Sequence, residues 1–160
     1  MQRAICLCVL IFVIVACSGL PAQQYSEANQ QPAGTTQEVQ WLRSASEAAR
    51  LAKATGKPIL VYVRSQNCHH CDLLQQNTWS DRAVKAMIMR DMVPLKLTLE
   101  ENRDAVKALK VKGFPAVILF TPDRQFLAKI DGYLAPSEFE SRIAKARQSV
   151  AADPNASTRR

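Results

Sequence analysis

Two cysteines with two histidines between them, Cys68-His69-His70-Cys71, hold the most reactive chemistry in this chain. Thiols at this spacing can close a disulfide and reopen it by exchange with another thiol, through a mixed disulfide. The same four side chains also offer two soft and two borderline donors, a set that suits Cu(I) or Zn(II). Structural zinc sites, however, usually take their ligands as two pairs from separated segments. Consecutive histidines on one helical turn also point apart. Thiol–disulfide exchange is therefore the leading reading and copper or zinc delivery the second. A third, a non-catalytic binding module, has to explain why both cysteines are present.

What holds the pair is a junction between two kinds of element. Pro58-Ile59-Leu60-Val61-Tyr62-Val63 is an apolar run of strand character, and Cys68 to about Asn77 follows as helix. Upstream, Trp41 to Thr55 has apolar residues at helical spacing and stops at Gly56. Downstream, Ser80-Asp81 caps a short helix through Arg90. Val93, Leu95, Leu97 and Leu99 then alternate with polar residues as a half-buried strand. Asn102 to Leu109 reads as helix, Ala116 to Phe120 as strand, Thr121-Pro122-Asp123-Arg124 as a turn and Phe126 to Ile130 as strand. Ser137-Glu138-Phe139-Glu140 has the form of a capping box opening the last helix. The order α-β-α-α-β-α-β-β-α predicts an α/β domain, a mixed sheet with helices on both faces.

The first residues bear on compartment. Met1-Gln2-Arg3 gives a short positive start, and Ala4 to Ala16 is an uncharged apolar run of about 13 residues. That is the length of a signal-peptide core, where a membrane-spanning helix needs roughly 20. Ile14-Val15-Ala16-Cys17 resembles the lipobox of bacterial lipoproteins, which implies a signal over 1–16 and a lipidated Cys17. Ser18 in the next position implies release to the outer membrane. Ordinary cleavage after Leu20-Pro21-Ala22 is the competing reading and extends the signal to 1–22. Both remove Cys6 and Cys8, leaving Cys68 and Cys71 as the thiols free to react. A bridge across two residues closes too short a loop to serve chiefly as a staple.

The rest of the chain divides into a polar tether over 17–38, a domain over 39–151 and a disordered tail over 152–160. The formal net charge of +7 is spread along helices beside acidic residues rather than gathered into a run. Nucleic acid is therefore not an expected partner, and a monomer is expected.

The thiol pair after the first clear strand, with Gly113-Phe114-Pro115 before the third, resembles the thioredoxin fold over nearly all of 40–150. The matching segments are Lys57-Pro58-Ile59-Leu60-Val61 leading to Cys68 and Cys71, Gly113 to Phe120, and Gly132 after the last strand. Thr78-Trp79-Ser80-Asp81 and Glu100-Glu101-Asn102 resemble the C-terminal periplasmic thioredoxin-like domain of the transmembrane disulfide reductase DsbD. The resemblance implies a periplasmic oxidoreductase acting on protein thiols and disulfides, with a membrane redox partner and no cofactor beyond its own disulfide. It implies that Pro115 is cis and that the backbone of Phe114 pairs with a substrate strand.

At such a site Cys68, at the first turn, is the expected attacking sulfur, and Cys71, one turn further in, the resolving one. A free thiol has a pKa near ~8.5 and is only about 3% thiolate at pH 7. Bringing that pKa to roughly 7 takes about 2 kcal/mol, whereas a helix amino terminus offers ~0.3–1 kcal/mol. His69 and His70, the chain's two histidines, are the expected additional help. One position departs from the thioredoxin pattern: Tyr62 stands where that family has a buried aspartate. Lys96 matches the family's buried lysine, while its alternation with Leu95 and Leu97 equally suits an outward-facing residue. Lys96 and Glu100 are the candidates for a proton relay. No metal site is expected.

Overall fold

The structure, a computed structural model, describes residues 38–152 and lies within one compact unit, Gly34–Arg160. The signal, Cys17, nearly all of the tether and all but the first residue of the tail fall outside the described residues. The elements follow the expected order: α1 (Ala45–Thr55), β1 (Ile59–Arg64), α2 (His69–Leu73), α3 (Arg82–Asp91), β2 (Val93–Thr98), α4 (Arg103–Ala108), β3 (Ala116–Phe120), β4 (Phe126–Asp131) and α5 (Pro136–Ala152). A π-helical turn over Leu74–Thr78 continues α2. It ends in an i+5 bond, the Trp79 N–H donating to the Leu74 carbonyl at 2.9 Å.

The sheet order is β2-β1-β3-β4, with β1 and β2 parallel and the other two pairings antiparallel. Parallel pairing buries both faces of β1, so Ile59 to Val63 are all buried and form a continuous apolar run. Alternate residues feed two cores. Leu60, Tyr62, Val117 and Leu119 pack with Leu74, Trp79, Val84, Ile88, Phe139 and Ile143 from the α2, α3 and α5 side. Ile59, Val61, Val63, Leu95, Leu97 and Ile118 pack with Ala48, Ala52 and Val106 from α1 and α4. The expected mixed sheet with helices on both faces is what forms.

Two local expectations are corrected. The first helix starts at Ala45, with the Ser44 hydroxyl accepting from the Glu47 N–H, and not at Trp41. Leu42 is extended and bridges to Leu95: its N–H donates to the Pro94 carbonyl and its carbonyl accepts from Lys96, both at 2.9 Å. Trp41 accordingly packs on one core and Leu42 on the other, the alternation of a strand. At the other end, Ser137 does not cap α5. Pro136 opens the helix, its fixed φ and missing N–H suiting the first helical position, and Ser137 lies inside the first turn.

Candidate functional site

β1 ends at Arg64, and a short turn containing Asn67, whose φ is +52°, leads to Cys68. Cys68 is the N-cap of α2, with extended backbone (φ −105°, ψ 96°). Its sulfur accepts from the Cys71 N–H at 3.2 Å, and its carbonyl accepts from Cys71 and Asp72 at 3.0 and 3.1 Å. The sulfur thus takes the place that a Ser or Asp oxygen fills at most helix starts. An anionic sulfur there would meet unpaired N–H groups and the positive end of the helix. Cys68 and Cys71 form a disulfide with Cα atoms 5.2 Å apart. Cys68 is partly exposed, whereas Cys71 is fully buried, so an external thiol can reach only the first sulfur.

Sheet register brings the second half of the site to the same end. Val63 pairs with Ala116, so Pro115 lies level with the end of β1 and the turn that carries Cys68. The Phe114–Pro115 bond is cis, as expected, with Pro115 buried and Phe114 half-buried. The Pro115 carbonyl accepts from the Gly132 N–H at 2.8 Å, tying this corner to the end of β4.

Beneath the disulfide lies Tyr62, fully buried, its hydroxyl donating to the Cys71 carbonyl at 3.4 Å. Burial pushes its pKa up to about 12, with the Arg64 charge opposing. The Trp79 indole N–H also pulls that pKa down but lies outside hydrogen-bond geometry and stays buried without a partner. Tyr62 is therefore neutral at physiological pH and cannot act as the base that a carboxylate would be. Trp41, Tyr62, Trp79 and Phe139 form a chain of tilted and edge-on rings with centroids 5.0–5.5 Å apart.

The other expected residues are more dispersed. His69 and His70 are exposed, their rings 5.8 Å apart, on the first turn of α2. Lys96 pairs in register with Tyr62 and stands on the same face, its Nζ 5.9 Å from the ring centroid. Burial, followed by the charges of Arg64 and Arg43, lowers its pKa. Glu100 accepts from the Gln66 N–H at 2.9 Å through Oε1, and that bond holds its carboxyl below the ordinary value. Its Oε2 is buried with no partner. Lys96 and Glu100 both line a cavity of about 260 Å³ with Arg43, Arg64, Ser65, Gln66, Thr98 and Glu101, beside the thiol-bearing turn. Among the described residues no three His, Cys, Asp or Glu side chains gather closely enough to hold a metal ion.

One contact escaped the sequence reading. The Arg64 guanidinium donates to Asp72 Oδ1 at 3.1 Å and to the Ser65 carbonyl at 3.4 Å, spanning the segment that contains both cysteines. The sole hint in the sequence was Asp72 four residues after Cys68; nothing local pairs it with the end of a strand.

A family model described as a thioredoxin-like domain matches residues 45–147, and the chain belongs to that family. Among solved structures it is similar to a thioredoxin from Thermus thermophilus, at 20% identity and a TM-score of 0.62, covering 75% of this chain and 97% of that one. A DsbH oxidoreductase gives 20% identity and a TM-score of 0.58 over 81% and 94% of the two chains. The oxidised C-terminal domain of DsbD from Neisseria meningitidis gives 16% and 0.53 over 66% and 98%. At these identities the likenesses speak for the fold, which is the thioredoxin fold expected from the sequence. A curated relative, an uncharacterized protein B0495.5 of Caenorhabditis elegans, is 26% identical over 93 residues. That match takes in 53% of this chain but only 13% of the much longer relative.

Proposed function

We propose that this protein exchanges disulfides with partner proteins through Cys68 and Cys71. The observation that carries the reading is the asymmetry of the pair: a partly exposed sulfur at a helix cap, bonded to a fully buried one behind it. In the reducing direction the Cys68 thiolate attacks a partner disulfide. One partner sulfur joins Cys68, and the other leaves as a thiolate and takes up a proton. The Cys71 thiol, losing its proton, then attacks Cys68 and releases the second partner sulfur. The partner gains two electrons and the Cys68–Cys71 disulfide is restored. The oxidising direction runs these steps in reverse. The backbone at Phe114, beside cis Pro115, is the surface on which an extended partner segment pairs.

His69 and His70 supply part of the stabilisation of the Cys68 thiolate in this account, the helix terminus supplying the rest. Replacing them together (His69→Gly, His70→Pro) should raise the pKa read from thiolate absorbance, and an unchanged value would remove the histidines from the account. Lys96 and Glu100 flank the turn and serve as the proton path to solvent.

The amino-terminal residues support export to the periplasm with Cys17 lipidated at the outer membrane in this reading, and the resemblance to the DsbD domain supports electrons shared with a membrane partner. No helix among the described residues is long and apolar enough to cross a membrane. The test is the redox state of Cys68 and Cys71 in cells with the membrane thiol donor intact or deleted. Accumulation of the disulfide on deletion identifies a reductant fed from the membrane. A pair that remains reduced in both backgrounds contradicts the exchange reading.

A further inference from the structure

We infer that Arg64 tunes the attacking sulfur indirectly, by neutralising Asp72, which makes it a positioning residue for the exchange reaction. The inference rests on the exchange reading for its purpose but not for its test. Asp72 is four residues after Cys68, and its N–H donates to the Cys68 carbonyl in the first turn of the helix. Residues at this spacing share a helix face, so the carboxylate stands one turn behind the sulfur. A carboxylate near a helix start normally benefits from the dipole. Here it competes for that field with the thiolate that exchange requires, and like charges disfavour each other's ionised form.

Arg64 answers this conflict. Its side chain is 23% exposed and that of Asp72 52%, so the strand end supplies the more buried partner of the pair. The same guanidinium donates to the Ser65 carbonyl, and the Leu99 N–H donates to the carbonyl of Arg64 at 2.9 Å, which anchors its backbone to the end of β2. The ionisable groups around the thiols are His69, His70 and Asp72 on α2, Tyr62 and Arg64 on β1, Lys96 on β2 with Glu100 and Glu101 after it, Arg43 before α1 and Lys112 before Phe114. Within this set Asp72 is the carboxylate carried on the helix of the attacking sulfur, and Arg64 is its bonded counter-charge.

The sign of each substitution follows. Arg64→Ala leaves Asp72 unpaired and should raise the pKa of Cys68. Asp72→Asn leaves the Arg64 charge unpaired and should lower it. Each shift is expected at about half a pH unit, the scale of one charge acting over several ångströms through a partly aqueous path. In Arg64→Ala/Asp72→Asn both charges are gone, and the value should return to within a few tenths of wild type.

The experiment is thiolate absorbance against pH on the reduced full-length protein and the three variants, each with Cys6, Cys8 and Cys17 replaced by Ser and in a Cys71→Ser background, so that Cys68 alone is read. Opposite shifts in the single variants, cancelled in the double, support the inference. Equal-sign shifts, no shift, or a double variant that stays raised overturn it, since a purely structural strap would be damaged by either change. Should Arg64→Ala fail to fold, Asp72→Asn decides alone: a lowered pKa supports, an unchanged or raised one overturns. None of these outcomes requires a partner protein, so failure of the exchange reading itself would appear separately, as wild-type protein that neither reduces nor oxidises a protein disulfide.

Discussion

One face of the sheet packs Leu60, Tyr62, Val117 and Leu119 against Trp79, Phe139 and the helix that bears the thiols, whereas the other packs Val61, Val63, Leu95 and Ile118 against Ala48, Ala52 and Val106. The fully buried members of the second face are all aliphatic. The first buries a tyrosine hydroxyl on the Cys71 carbonyl and an indole N–H with no partner. A buried polar atom left unpaired costs free energy, so the lone Trp79 indole N–H and the bonded Tyr62 hydroxyl mark the thiol side as the face where packing yields to polar groups. The aliphatic face supplies stability by area and shape; the aromatic face also sets the floor on which Cys71 rests.

The sharpest way to break this comparison is to truncate one large side chain on the aromatic face and trim one on the other. Trp79→Ala should cost about 3–5 kcal/mol of unfolding free energy and change the reduction potential, because it removes a ring packed on Tyr62. Ile118→Val should cost about 0.5–1.5 kcal/mol and leave the potential alone. Denaturant unfolding paired with equilibration in glutathione buffers reads both quantities. Equal effects on the potential would erase the distinction between the faces.

A subtler probe keeps the ring and removes one atom. Tyr62→Phe deletes the donor to the Cys71 carbonyl and should cost about 0.5–1 kcal/mol, the low end for a neutral hydrogen bond, given its 3.4 Å length. Since the pKa of Tyr62 is raised to about 12, the tyrosine stays neutral and the pH dependence of exchange below pH 9 should be unaltered in the variant. A changed profile would show that the hydroxyl carries protons after all.

The smallest effect concerns the helices that cover the aromatic face. Asp91 on α3 accepts from Arg90 at 2.8 Å and from Arg147 of α5 at 3.2 Å, and the Arg90 bond leads in bringing its pKa down to about 2. A carboxyl depressed in the folded state contributes stability above its unfolded pKa and loses it as pH falls through the folded value. The difference in unfolding free energy between wild type and Asp91→Asn should therefore be level above about pH 4 and vanish towards pH 2. With both arginines largely solvated, it should not exceed about 1 kcal/mol.

The order of elements was legible because each apolar run has a period and a stop: Gly56 ends α1 in the left-handed conformation, Asp81 caps α3, and Ile59 to Val63 form an uninterrupted apolar strand. Trp41 and Leu42 were misread because two large apolar neighbours fit a helix period as well as a strand. Only the pairing of Leu42 with β2, more than fifty residues away, separates the two. The cysteines and Pro115 were legible as a constellation. The link from Arg64 to Asp72 and the ring chain from Trp41 to Phe139 were not, because both depend on where the helices settle over the sheet.

The central claim is that the two sulfurs divide the work by position: Cys68 attacks and Cys71 resolves. Incubating reduced Cys68→Ser and Cys71→Ser variants, both with Cys6, Cys8 and Cys17 replaced by Ser, with an unfolded protein that carries a disulfide, then separating the products without reductant, tests this directly. Cys71→Ser should accumulate a stable mixed disulfide through Cys68, and Cys68→Ser should form essentially none. Equal trapping by both variants, or trapping through Cys71 alone, would contradict the assignment.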